Sequence, residues 1–196
     1  LFGTPILLVL GYDFITTLIT LLPISLTINL LQVTKDYRQI HLPFYRQILT
    51  LSIPGIILCL LLVTARKMNI GSVVGLFLIV AALKSLYAPF QRVIESLVRY
   101  ERTYFVVMGV VHGLTNLGGS LLTALIHSKP YDKDQTRATT AVSYGTFALF
   151  QLLTLGLTLG PAAIATATTV SYMAVGVSMF LGTELLLYGK LSTERY

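Results

Sequence analysis

Charge is absent from five long stretches of this chain, and that spacing limits what it can fold into more than any motif does. No Asp, Glu, Lys or Arg stands between Asp13 and Lys35, Arg46 and Arg66, Lys67 and Lys84, Arg102 and Lys129, or Arg137 and Glu184. The first four gaps are roughly 16 to 26 residues long, and about 20 apolar residues of helix cross about 30 Å of hydrocarbon. The fifth has room for two crossings, with Gly160-Pro161 as the turn between them. Hydrophobic residues make up 55% of the chain and charged residues 11%, where a soluble domain carries roughly a quarter charged residues. The expected fold class is therefore all-α, a polytopic transmembrane helix bundle whose first partner is the lipid bilayer.

Taken in order, the pattern predicts the end of a helix over 1–10 and crossings over 15–33, 47–65, 70–88, 104–127, 137–160 and 162–187. A polar loop containing Pro43 fills 35–46, Pro54-Gly55 reads as a kink, and 89–103 reads as an amphipathic linker at the interface. The chain opens on Leu1 inside an apolar run, so it reads as a fragment lacking the front of its first helix; no signal peptide is visible. Cys59 is alone, which excludes a disulfide or thiolate metal site, and the three His residues form no ligand set, so neither metal nor cofactor is expected. The formal charge of +6 comes from loop cations suited to lipid headgroups rather than nucleic acid. Counted by these spans, Lys35, Arg38, Arg46, Arg92, Arg99 and Arg102 share one side. Arg66, Lys67, Lys129, Lys133, Arg137, Lys190 and Arg195 share the other, so the positive-inside rule is undecided.

An internal repeat carries more information. Residues 12–32, YDFITTLITLLPISLTINLLQ, align without gaps to 131–151, YDKDQTRATTAVSYGTFALFQ, matching at Tyr12/Tyr131, Asp13/Asp132, Thr17/Thr136, Thr20/Thr139, Thr27/Thr146, Leu30/Leu149 and Gln32/Gln151. Upstream, with three residues gained, 1–5 meets 117–121. Duplicated halves are the usual build of a transporter, so two repeated halves of about four helices are expected, 1–103 and 104–196, the last helix lying beyond the end of the chain. Span counting makes the copies parallel unless one helix is re-entrant.

Within the second copy, Gly109, Gly113, Asn116 and Ser120 recur at helical spacing with His112 and Gly119 beside them, a small and polar face that must look at protein or trapped water. Gly118-Gly119 weakens the helix and Ser120 suits the N-cap of a new half-helix. In the first copy Gly3 precedes Thr4, another good cap, and Pro5 suits the first helical turn. A half-helix start presents free N–H groups and a positive dipole end, which hold an anion without a buried charge. Candidate substrate-binding residues are Gly3, Thr4, Pro5, Asn116, Gly118, Gly119 and Ser120, completed by Asn29, Gln32, Tyr144 and Gln151, with His112 as a candidate for proton coupling. Plainer roles stand beside these. Gly109-x-x-x-Gly113 suits close helix packing, the amides and His112 suit ties between helices, Asp132 to Asp134 suit a solvated turn, and Arg137 suits an interface anchor or an attractor for anions.

At these residues the chain resembles the TauE/SafE sulfite-exporter family of membrane permeases. The resemblance is carried by Gly113-Leu-Thr-Asn-Leu-Gly-Gly-Ser-Leu-Leu-Thr-Ala-Leu, Lys133-Asp-Gln-Thr-Arg-Ala-Thr-Thr-Ala and Gly3-Thr-Pro-Ile-Leu-Leu-Val-Leu-Gly. It implies an eight-helix permease of two four-helix halves that moves sulfite, sulfonates or related organic anions. Only Gly3, Pro5, Gly118, Gly119 and the segment 136–141 fall on matching motif positions. The expected function is thus a secondary transporter for a small anionic substrate, not an enzyme, in the cell (inner) membrane. The alternatives are a structural membrane subunit without substrate and, less well supported for want of a catalytic cluster in the spans, a membrane-embedded enzyme. Assembly of identical copies stays open.

Overall fold

The computed structural model describes residues 3–66, 68, 70–86, 100–165 and 167–193. Nine α-helices and no strand occur among them: α1 Gly3–Val9, α2 Phe14–Asp36, α3 Leu42–Gln47, α4 Ile53–Arg66, α5 Gly71–Leu86, α6 Glu101–Thr115, α7 Gly119–His127, α8 Lys133–Leu159 and α9 Ala167–Thr193. The linker expected over 89–103 lies outside the described residues as far as 99. Four described helical stretches are long and apolar enough to cross a membrane, Phe14–Gln39, Leu42–Arg66, Lys133–Leu159 and Thr168–Leu186.

The two longest cavity-lining helices start alike. Asp13 caps α2 by accepting the Thr16 N–H at 3.0 Å, and Asp132 caps α8 by accepting the Gln135 N–H at 2.8 Å. Each carboxylate satisfies an otherwise unpaired first-turn donor and faces the positive end of the dipole. Asp132 is therefore a cap, not merely part of a solvated turn. The expected polar loop over 35–46 is mostly helical. Helix α2 runs on to Asp36, a 3-10 turn covers Tyr37–Gln39, and His41 Nδ1 accepts the Phe44 N–H at 3.3 Å to start α3, with Pro43 in its first turn. The expected kink at Pro54 is replaced by a π turn over Ile48–Ser52 that joins α3 to α4. Proline has no N–H and its ring crowds the carbonyl four residues back; the wider winding, in which the Ile53 N–H donates to the Ile48 carbonyl, makes room for it.

The main correction concerns 104–127, which is not one crossing. Helix α6 stops at Asn116, whose φ of 58° lies in the left-handed region, and α7 returns beside α6. The Lys129 ammonium meets Glu101 at 2.6 Å, and the Tyr104 hydroxyl donates to the Leu121 carbonyl at 2.8 Å. The pair is a re-entrant hairpin with its tip at Asn116 to Gly118. Helix α1 is a short helix antiparallel to α2, turning into it over residues 10–13: Gly3 abuts Leu21, and Leu8 packs against the core that includes Phe14 and Leu18.

Re-entrance changes the chain's direction from there on. Asp36, at the end of α2, meets Arg137 near the start of α8 at 3.0 Å, and Gly145 lies against Asn29. The two helices are antiparallel, so the matched segments run in opposite senses rather than parallel ones. Helix α9 runs parallel to α2, with Gly176 against Ile24 and Thr27 and Glu184 paired to Lys35. Helices α4 and α6 are parallel and close enough for backbone contact. A Cβ on Gly109 would stand 2.3 Å from the Ser52 carbonyl oxygen, and one on Gly113 2.7 Å from that of Ile56. The Ser52 hydroxyl donates across this seam to the Phe105 carbonyl at 2.8 Å.

Two apolar cores result. One joins Phe44, Ile48, Ile56, Phe105, Met108, Leu122 and Phe147 from α3, α4, α6, α7 and α8 and the π turn. The other joins Phe14, Leu18, Leu22, Leu60, Val63, Val74 and Leu155 from α2, α4, α5 and α8. The polar cavity lies where they meet.

Candidate functional site

Halfway along α2 and α8, a cavity of about 260 Å³ is lined by Gly3, Thr4, Ser25, Asn29, His112, Asn116, Tyr144 and Gln151 on its polar side. Leu21, Leu22, Ile24, Ile28, Phe147 and Ala148 make the apolar side. The tip of the α6–α7 hairpin meets the first turn of α1 there, where the Asn116 side-chain amide donates to the Thr4 hydroxyl at 3.0 Å. Asn suits this tip because its short polar side chain tolerates the left-handed region that most residues avoid.

Behind the tip, His112 and Gln151 form a pair. His112 is 3% exposed and Gln151 0%. With His112 Nε2–H donating to Gln151 Oε1 at 3.2 Å, His112 Nδ1 and Gln151 Nε2 remain buried without partners. Phe147 holds the imidazole at a ring separation of 4.6 Å. The amide can donate two hydrogen bonds and the free ring nitrogen can accept a proton. Asn29 is partly occupied, its amide donating to the Ser25 carbonyl at 2.7 Å.

The two glycines of the expected break do a different job from the one their sequence context implied. Neither has positive φ. A Cβ on Gly118 would stand 2.5 Å from His112 Cβ, and one on Gly119 2.2 Å from the Tyr144 hydroxyl. Their absent side chains let the hairpin tip close over His112 and let the Tyr144 ring reach the cavity. Ser120 is not the N-cap: Gly118 precedes α7, and the Ser120 hydroxyl donates to the Leu117 carbonyl at 2.9 Å. Thr4 lies within α1 rather than ahead of it. Because Asn116 ends α6, Ser120 does not continue its polar face.

Of the residues singled out from sequence, Gly3, Thr4, Asn29, His112, Asn116, Tyr144 and Gln151 line the cavity, while Pro5, Gln32, Gly118, Gly119 and Ser120 do not. Gln32 turns to Asp36, one helical turn on, and bonds its carboxylate. It lines a second, wider cavity of about 710 Å³ together with Asn29, His127, Tyr131, Lys133, Arg137 and Tyr144. Asn29, Ile28 and Tyr144 line both cavities, so the two adjoin. Burial first, and then the nearby Glu101 carboxylate, raises the Tyr131 phenol above its usual range, which keeps it neutral. Sequence reading missed the role of Asp36; its position four residues after Gln32 was the available signal.

Four candidate spans, with a hairpin that turns back and a partly open cavity halfway along two of them, fit an integral membrane protein. Residues 1–192 match the family described as "Sulfite exporter TauE/SafE", and the chain belongs to that family of membrane transporters for sulfite-type anions. No curated protein and no solved structure gives a significant match. Among the described residues no three His, Cys, Asp or Glu side chains cluster as a metal site.

Proposed function

We propose that the protein is a secondary transporter of the cell (inner) membrane that carries a small oxyanion, such as sulfite or a short organic sulfonate, through the inner cavity. The observation that carries this reading is the pair of buried, unpartnered polar atoms, Gln151 Nε2 and His112 Nδ1, in a cavity at the middle of two spanning helices. A buried amide left without an acceptor costs about 1–3 kcal/mol, and an anion's oxygens supply that acceptor. The Thr4 hydroxyl, whose oxygen already accepts from Asn116, is free to turn its proton toward the ligand. His112 Nδ1 takes up a proton as the anion enters, so that charge arrives compensated and uptake couples to a pH gradient.

The α6–α7 tip and the first turn of α1 are the broken-helix elements, and the halves 1–103 and 104–196 are inverted copies that rock about them to alternate access. Orientation follows from charge. The direction of the helices gathers Lys35, Arg38, Arg46, Arg102, Lys129, Lys133 and Arg137 at one face, while Arg66 stands at the other. Short loops rich in Lys and Arg stay in the cytoplasm, so the face carrying the wider cavity is cytoplasmic, as an exporter requires for loading.

Uptake of radiolabelled sulfite into proteoliposomes under an imposed pH gradient tests the reading. Gln151→Leu is expected to weaken apparent affinity by roughly tenfold or more, and His112→Asn to remove the response to the gradient. Unchanged saturable uptake in folded Gln151→Leu protein would sink the inner site. A folded wild type that moves no anion would favour a structural subunit.

A further inference from the structure

The wider cavity contains a cation held in an unusual way. Arg137 meets Asp36 through one terminal nitrogen at 3.0 Å and Asp134, one turn back on its own helix, at 3.5 Å. Its Nε is buried and has no partner. Asp36 is the better sequestered acid, 12% exposed against 61% for Asp134, and the same Asp36 oxygen also accepts from the Gln32 amide. Lys133 and His127 line the cavity beside Arg137. The Nε–H and the neighbouring Nη2 form the edge on which a guanidinium takes a planar or tetrahedral oxyanion through two adjacent N–H groups; here Nε is covered and unpaired and Nη2 is held by Asp36 and Asp134, so an anion gains that edge by displacing the acid. Asp36 occupies part of that demand in the meantime.

We propose that Arg137 is an outer binding residue for the oxyanion on its way to the inner cavity, and that Asp36 is a built-in competitor for it. The ligand is a small sulfur or related oxyanion carrying at least two acceptor oxygens. When it binds the Nε edge, the Arg137 charge is shared between ligand and Asp36, and the tie between the end of α2 and the start of α8 loosens. Those are the two helices that flank both cavities, so the same event that captures the anion frees its route past Asn29 and Tyr144. Asp36 also keeps the site from holding the anion so tightly that it cannot move on. The inference rests on the anion reading above; binding at Arg137 itself does not require the inner site, and only the onward route does.

The test compares radiolabelled sulfite binding to purified protein in detergent, at low ionic strength, for the wild type, Asp36→Asn, Arg137→Gln, Arg137→Lys and Gln151→Leu. Asp36→Asn is expected to tighten binding, because it removes the competing charge while keeping the side chain's shape. Arg137→Gln is expected to weaken it by roughly tenfold, the size of a lost charge-assisted contact, and Arg137→Lys to recover part of the loss. Sulfite binding should also fall with added salt more steeply in the wild type than in Arg137→Gln. A tightening in Asp36→Asn cannot arise from misfolding, so that variant carries the test even if Arg137→Gln does not fold. If Asp36→Asn binds more weakly than the wild type, or like it, Asp36 is a structural tie and the inference fails. If the Arg137 and Asp36 variants match the wild type while Gln151→Leu alone loses binding, the outer site is wrong and the inner one stands. Loss in Gln151→Leu is not required for the outer site; its retention, with both Arg137 and Asp36 effects present, would overturn the inner reading instead.

Discussion

Glycine in this protein serves more often as a missing side chain than as a flexible joint. At Gly109 a Cβ would meet the Ser52 carbonyl and Cα, which are backbone atoms that cannot step aside. Gly109→Ala is expected to destabilise by about 1–3 kcal/mol, the usual range for overpacking, whereas Gly75→Ala, with open space around it and helical backbone, should be neutral or gain up to about 1 kcal/mol. Thermal unfolding in detergent separates the two. Asp13 offers a second test at this scale. The Thr16 hydroxyl first, and its backbone N–H next, hold the Asp13 carboxyl below the usual carboxylate range. Folding therefore favours the charged form. The contribution is present above the unfolded carboxylate value of about 4 and is lost as pH falls through the lower folded value. Asp13→Ala should cost about 1 kcal/mol near neutrality, and both it and Asp13→Asn should flatten the acid side of the stability profile. Among single residues the sequence was informative at His112, expected on an inward polar face and found buried; it did not announce that Asp13 and Asp132 cap their helices, and Asp132 read as part of a solvated turn. It was misleading at Gln32, which shares a helical face with Asn29 yet is drawn off by Asp36, a charge one turn away that outbids an open cavity.

At the scale of elements, the α6–α7 hairpin depends on one left-handed position that also carries the bond to Thr4 in α1. Asn116→Gly should preserve the left-handed turn and lose the bond to Thr4, while Asn116→Ala should lose the bond and strain the turn as well, by roughly 1 kcal/mol. Sulfite affinity is expected to fall in both variants, and thermal stability to fall more in Asn116→Ala. Equal stability would show that the turn is not what the asparagine contributes. The hairpin itself was only half legible from sequence. A charge-free run of about 26 residues suits a single crossing as well as two half-helices folded together. What separates the cases is a set of long-range contacts, Glu101 with Lys129 and Tyr104 with Leu121, that no local pattern announces. The π turn at 48–52 was likewise hidden, although Pro54 marked its neighbourhood.

For the whole molecule, the re-entrant hairpin reverses every later span relative to simple counting, which is why a parallel repeat and an undecided charge rule both followed from the sequence. With α2 and α8 antiparallel, Tyr12 and Ser128 lie at opposite faces. In a Cys59→Ser background, Tyr12→Cys is expected to react with an impermeant maleimide from outside the cell and Ser128→Cys only after the membrane is opened. Labelling of both from one side would undo the topology. The glycine seam between α4 and α6 has a mechanical consequence of its own. Backbones that touch through Gly109 and Gly113 have no soft side chains to deform, so those two helices must travel as one stiff lever. The α6–α7 tip and the first turn of α1, by contrast, are joined across Asn116 and Thr4 by a neutral hydrogen bond of about 1 kcal/mol, a bond that thermal motion opens readily. In the alternating-access cycle proposed above, the stiff part would thus be the α4–α6 seam beside His112 and the yielding part the single bond between Asn116 and Thr4.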